Sequence, residues 1–376
     1  DRKSFNQEFR AVSDSADFQK DSFFEWVIGT SYLELKESNL KKDDGLYGDP
    51  SDPYGPYASA SSSSSKYKSS NFSVFGNLDY LLSASLKFSI GLRWEDWEAD
   101  YADSLQESFN PTDKMSGGKI SLIKNMTNGT NMYASLAKGY KQGGFNLGLG
   151  LDANSRNKNL AYDPEFLTNY ELGINTKLLD SRVTFNGVLF YSDREDQQVL
   201  ISTQTDPSDP NTFSFLTQNA AEGVNHGLEI NMDMDINQSL SAFVNLGILK
   251  TEIKNWQSRQ DLEGRAQAHA PERSYALGLN WAPTSHTYLA IDFTGKSSFY
   301  YSDSHNNKSK SYVLTNLNLG YVKNNWNYEL WARNIFDEYY SVRGFYFGNE
   351  APNFIDTLYK RHGDPRHIGL SIRYDF

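Results

Sequence analysis

The closing stretch His367-Ile-Gly-Leu-Ser-Ile-Arg-Tyr-Asp-Phe376 sets Ile368, Leu370, Ile372, Tyr374 and Phe376 at alternate positions, with His367, Gly369, Ser371, Arg373 and Asp375 between them. Side chains of an extended chain point to opposite faces in turn, so this is a strand with one apolar face and one polar face. It stops on an aromatic carboxylate. A soluble antiparallel sheet gives the same alternation, and repetition along the chain decides between the two. Leu228, Ile230, Met232, Met234 and Ile236 alternate with Glu229, Asn231, Asp233, Asp235 and Asn237, whose face is too charged to be anything but wet. Leu86, Phe88, Ile90, Leu92 and Trp94, and again Tyr170, Leu172, Ile174 and Leu178, carry the same theme. These segments reach roughly ten residues, beyond the five or six usual in globular sheets and matched to the 9–11 or so of a tilted bilayer-crossing strand.

The strands come in pairs. Very short turns are predicted at Leu81 to Ser85, Lys124 to Gly129, Leu178 to Arg182, Ile236 to Leu240, Pro283 to His286 and Lys323 to Asn325. Long polar loops separate the pairs, at Lys36 to Lys66, Gln142 to Asp163, Asp193 to Asn211, Asn255 to Arg273 and Arg343 to Asp364. Short turns at one end and long loops at the other are the asymmetry of outer-membrane barrels. The reading is all-β: an antiparallel, transmembrane, up-and-down β-barrel of outer-membrane type, with about fifteen strands in this chain.

Composition agrees. The 376 residues include 24 Tyr, 23 Phe and 7 Trp, yet mean hydropathy is −0.62. No apolar run approaches the roughly 18 residues of a spanning helix, which excludes a helical membrane protein. Trp26, Tyr80, Trp94, Trp97, Tyr101, Tyr133, Tyr191, Trp281, Tyr300, Tyr301, Tyr321, Trp326, Tyr339 and Tyr340 fall near strand ends and are read as two interfacial girdles. There is no cysteine, hence no disulfide framework and no thiolate chemistry. A net charge of −11 without a basic block argues against a nucleic-acid partner.

Catalytic signatures are absent. The glycines at 143–144 and 148–150 precede no helical pattern and are not a phosphate loop. The histidines at 226, 269, 286, 305, 362 and 367 lack ligand spacing, and no serine lies in a nucleophile elbow. No enzymatic activity is expected, although a barrel hydrolase drawing its residues from separate strands is a conceivable rival. Asp49 to Pro53 and Asp206 to Pro210 both read Asp-Pro-Ser-Asp-Pro and are taken as stiff acidic turns, with a calcium site as the alternative. Ser59 to Ser65 reads as a mobile low-complexity loop.

Several motifs resemble the barrels of TonB-dependent receptors. Tyr133 to Asn146, YASLAKGYKQGGFN, is similar to a strand-to-loop passage of that family. Pro164-Glu165 with Tyr170-Glu171-Leu172-Gly173, then Asn334-Ile335-Phe336-Asp337 with Tyr339-Tyr340, then Pro365-Arg366 before a final strand ending in Phe376, follow in the family's order. Gln7-Glu8-Phe9-Arg10 resembles a strand near the start. The resemblance implies a barrel of about 22 strands filled by an N-terminal plug. Residues 1–376 would then be a partial barrel domain, without the plug or the first strands, opening near the family's eighth strand.

The resemblance further implies active transport across the outer membrane of a Gram-negative bacterium, with a ferric siderophore or similar large nutrient as cargo. No cofactor and no metal site belongs to the protein itself. Its partners would be outer-membrane lipid, the TonB complex acting through the plug, and the barrel-assembly machinery, which would read the last strand at Tyr374 and Phe376. The aromatic loop residues Tyr54, Tyr57, Tyr300, Tyr301, Phe345, Tyr346 and Phe347 would stack on a chelator or sugar ring, or else pack the loops over one another; the sequence leaves both open. A passive diffusion porin of about sixteen strands is the rival transporter.

Overall fold

The computed structural model of the chain describes residues 1–13, 24–47, 57–104, 108–127, 129–146, 161–204, 213–256, 259–303, 305–347, 355 and 357–376. Its strands are β1 (Arg2–Val12), β2 (Phe24–Tyr47), β3 (Tyr57–Ser83), β4 (Leu86–Asp103), β5 (Ser108–Phe109), β6 (Thr112–Asn125), β7 (Asn131–Lys141), β8 (Gly144–Phe145), β9 (Ala161–Tyr162) and β10 (Glu165–Leu178). There follow β11 (Val183–Gln204), β12 (Phe213–Asn237), β13 (Leu240–Asn255), β14 (Arg273–Thr284), β15 (Thr287–Lys296), β16 (Tyr312–Lys323), β17 (Trp326–Arg333), β18 (Ser341–Phe347), β19 (Thr357–His362) and β20 (His367–Tyr374). One sheet runs β1-β2-β3-β4-β6-β7-β10-β11-β12-β13-β14-β15-β16-β17-β20, with β5 added beside β4. Every neighbouring pair on the path is antiparallel and follows in chain order, so the architecture is the expected up-and-down wall.

Register makes one face continuous. Phe88, Leu122, Ala134, Leu172, Leu189, Leu228, Ile248 and Arg273 lie opposite one another in sequence across the wall. Phe88 stands beside a short turn, whereas Arg273 opens β14 at the long-loop end, so a row that follows the hydrogen bonds climbs from one end of the wall to the other. That is the stagger of tilted barrel strands. This apolar face is uncovered: Leu172 is 60% exposed, Leu370 64% and Ile368 65%. Water would oppose so large a bare surface, and hydrocarbon accommodates it.

The other face carries the polar alternates, and six of its aromatic rings share one arrangement. Phe75, Tyr133, Phe190, Phe243, Tyr288 and Trp331 each lie opposite a glycine: Gly29, Gly173, Gly227, Gly278, Gly320 and Gly369 respectively. A methyl group on any of these glycines would fall within or against that ring. The rings therefore lie flat along the wall, and the missing side chain opposite supplies the room.

Three sequence expectations need correction. Tyr133, Trp97 and Tyr101 belong to the inner face rather than a girdle: Trp97 is 1% exposed and bonds Ser69 through Nε1 at 2.8 Å. The loop expected at Lys36 to Lys66 is largely paired strand, since β2 and β3 stay in register from Lys36↔Lys68 to Tyr47↔Tyr57 and take Ser59 to Ser65 with them. Backbone hydrogen bonds form a ladder whatever the side chains, so a serine tract offers no apolar period yet pairs. Likewise β11 and β12 continue through Asp193 to Gln204 after a bulge beyond Arg194, where Asp196 adopts φ 54°. Both Asp-Pro-Ser-Asp-Pro segments lie outside the described residues.

Candidate functional site at the long-loop mouth

Three groups of residues build the mouth. The connection after β13 folds back on the inner wall, where Trp256 and Leu262 pack with Val199, Ala221 and Ile253. From it Arg265 reaches the connection after β15. Its Nη atoms donate to Ser302 O at 3.1 Å, His305 O at 2.9 Å and Asn306 Oδ1 at 2.9 Å, and it pairs with Asp303 at 3.2 Å. The guanidinium lies 4.3 Å from the Tyr300 ring centre, and Lys308 Nζ lies 4.2 Å from the same ring. A ring's negative face attracts cations, so Tyr300 gathers both.

The hairpin of β18 and β19 completes this cluster. Asn307 Nδ2 donates to Tyr346 Oη at 2.8 Å, and His305 meets the Tyr346 ring edge-on at 4.8 Å. Tyr301 is buried, set edge-on against Phe299 at 6.0 Å and close over Gly344. Burial, and then the Arg265 charge, hold the His305 pKa below its ordinary 6.5. Trp256 Nε1, Gln267 Nε2 and His305 Nε2 are buried here and have no hydrogen-bond partner among the described residues. Such groups are costly unless something bonds them.

The structure thus brings Tyr300, Tyr301 and Tyr346 together. Phe345 stands apart, half exposed and stacked on Tyr359 at 5.7 Å. Phe347 and Tyr57 are placed by their backbone pairing with Thr357 and Tyr47, and Tyr54 lies outside the described residues. Arg265, Lys308 and His305 were missed by sequence reasoning; they are distant in the chain, and no local spacing announces their meeting.

A second group explains the Gln142 to Asn146 motif. Phe145 inserts among Tyr67, Tyr101 and Phe109, at 5.7, 5.2 and 5.6 Å. Asn146 clamps β12 like a backbone partner: Nδ2 donates to Thr217 O at 2.8 Å and Oδ1 accepts from Thr217 N at 2.7 Å. Gln198 Nε2 donates to Gln142 O at 2.9 Å. Gly143 and Gly144 lie so close to Tyr162 that side chains would collide with it.

The third group pins the last strand. Asn334, at φ 48° and 4% exposed, donates from Nδ2 to Glu338 O and Asp364 O and accepts from Glu338 N. Asp337 Oδ1 accepts from Arg366 N at 2.8 Å. The Asn-Ile-Phe-Asp and Asp-Pro-Arg motifs are thus two halves of one knot. At the opposite end of β20, Tyr374 packs on Trp326 at 4.8 Å, and Phe376 stands edge-on to Tyr374 at 5.1 Å, fully exposed.

An antiparallel wall with a bare apolar outside, a polar inside and loops folded over one mouth is the wall of an outer-membrane β-barrel. The family model described as TonB dependent receptor-like, beta-barrel matches residues 1–335, and the chain belongs to that Gram-negative outer-membrane family. The pesticin receptor of Yersinia pestis is 23% identical over 267 residues, 69% of this chain and 36% of that receptor. The ferric yersiniabactin uptake receptor FyuA from Yersinia pestis superposes with a TM-score of 0.75 at 19% identity, over 100% of this chain and 54% of that one. The copper transporter OprC gives 0.73 at 13% identity, over 100% and 57%. At these identities the structures speak for the fold. The chain spans about half the length of the solved structures and about a third of the pesticin receptor.

Proposed function

We propose that the chain forms most of the wall and mouth of an active uptake receptor, which takes a ferric siderophore or similarly large nutrient from outside and passes it inward when the TonB complex acts through a plug domain. The observation that carries this reading is the mouth cluster: two cations on the Tyr300 ring, beside buried side-chain nitrogens with no partner among the described residues. Anionic, ring-bearing chelates match those groups. Tyr300, Tyr346, Phe345, Tyr54, Tyr57 and Phe347 would face the ligand, whereas Tyr301 supports them from below. Tyr374 and Phe376 would serve barrel assembly. Family membership favours this reading over a passive porin, which needs no plug and no TonB.

The test is uptake of radiolabelled ferric chelates by cells whose only receptor is the full-length protein, with and without TonB. Uptake that requires TonB and falls at least tenfold with Arg265→Ala or Tyr300→Ala supports the reading. Uptake indifferent to TonB, or a steady open conductance from the full-length protein, refutes it.

A further inference from the structure

The outside of the wall holds a concavity of about 920 Å³, running diagonally from β4 to β13. Its floor is apolar: Phe88, Leu122, Leu136, Leu172, Leu189 and Leu228. Its upper end is not. There Tyr191, His226 and Lys250 lie in register on adjacent strands, and the row stops at Lys250 because β14 begins level with Ile248. Tyr191 and His226 stack at 6.2 Å and 23°. His226 Nδ1 is buried without a partner, and Lys250 makes no salt bridge among the described residues. The neighbouring carboxylate, Glu252, is engaged by Lys254 Nζ at 2.7 Å and lies within reach of the Lys250 charge without bonding it. Arg273, opposite Ile248, adds a further cation at the same rim.

A lysine on the lipid side of a barrel is stable only where its ammonium reaches the headgroup level and an anion. The chain as a whole, at −11, repels anions, but at this rim Lys250, Lys254 and Arg273 gather beside the carboxylates Glu252 and Asp193. An apolar trough ending in an ammonium, an imidazole and a phenol fits an amphiphile whose chains fill the trough and whose phosphate meets the cap. The cap lies at the long-loop end, which faces outward. Lipid there belongs to the outer leaflet of a Gram-negative outer membrane, where phosphate is borne on multiply acylated glycolipid. A trough crossing from β4 to β13 also suits several chains rather than two.

We propose that this groove is a specific site for one phosphorylated, multiply acylated glycolipid of the outer leaflet, held through His226 and Lys250. The site stands on the wall's placement in the outer membrane and is independent of the uptake reading. The experiment is native mass spectrometry of the full-length protein in a zwitterionic detergent, titrated with diphosphoryl lipid A, with lipid A stripped of phosphate, and with dioleoylphosphatidylglycerol. A one-to-one adduct with diphosphoryl lipid A is expected, at least tenfold weaker without the phosphates and with phosphatidylglycerol. The double variant His226→Ala/Lys250→Ala should lose it at least tenfold, whereas Lys323→Ala, on the same face at the short-turn end, should not. Heat-modified gel mobility confirms that each variant is a folded barrel. Equal retention by the double variant, or by dephosphorylated lipid, overturns the phosphate site. Equal retention of phosphatidylglycerol overturns the glycolipid assignment.

Discussion

Arginine substituted at Leu246 and at Asn245 separates a lipid-facing wall from a soluble sheet, because the two neighbours in β13 point to opposite sides. Leu246 lies opposite Ile230 and Tyr275 on the apolar face, and Asn245 opposite Asn231 on the polar one. Leu246 is six residues from the short turn at Leu240. At about 3.3 Å per residue and roughly 40° of tilt it stands about 15 Å up, near the middle of a hydrocarbon core about 30 Å thick. Arginine at that depth costs about 2–4 kcal/mol on the lipid face, a factor of about 30 to 700 in the folding equilibrium. Asn245→Arg meets water and should change stability by less than about 0.5 kcal/mol. Leu246 is 39% exposed, so in water its replacement would also be near neutral. Guanidinium titration of the full-length protein in phosphocholine vesicles, followed by tryptophan fluorescence, gives both values. Equal costs, or a larger cost at Asn245, would refute the assignment of faces.

Three further outcomes are expected. Gly173→Val should destabilise by about 1–3 kcal/mol through collision with the Tyr133 ring, and the same change in a Tyr133→Ala background should cost far less; thermal loss of the heat-resistant gel band measures both. Asn334→Ala should cost about 1–3 kcal/mol by stranding Glu338 and Asp364 backbone groups, and Asn334→Gly, which tolerates φ 48°, should cost somewhat less, read in the same denaturant titration. His305 titrates below its ordinary 6.5, so an unfolded mouth gains a proton that the folded one refuses. The packing there should be fully stable above pH about 6.5 and weaken as pH falls below it; amide exchange in residues 299–307 should rise on that side, and His305→Gln should flatten the dependence.

The strand pattern was legible because lipid and water impose opposite demands on alternate residues. The same parity, followed through, also places the misassigned rings: Tyr133 is out of phase with Leu136, and Trp97 is in phase with Arg93 and Glu95 rather than Leu92 and Trp94. Ser59 to Ser65 hid its strand because a run of serine carries no apolar period, while its backbone pairs all the same. The mouth was readable only as a set of aromatic residues. Which of them meet depends on where Arg265 lands, some 35 residues from Tyr300, and on a hairpin later still. Contacts between separate connections leave no local periodicity.

The chain has no cysteine, so single cysteines carrying nitroxide labels can be placed one at a time along β13. Power-saturation spectroscopy on the full-length protein in lipid vesicles then reports each label's access to oxygen, which concentrates in hydrocarbon, and to a water-soluble nickel complex. For residues 242–249 oxygen access should peak at 242, 244, 246 and 248, and nickel access at the positions between, except where packed protein excludes both. Access that fails to alternate, or apolar positions closed to oxygen, would contradict the claim that one side of this wall meets lipid.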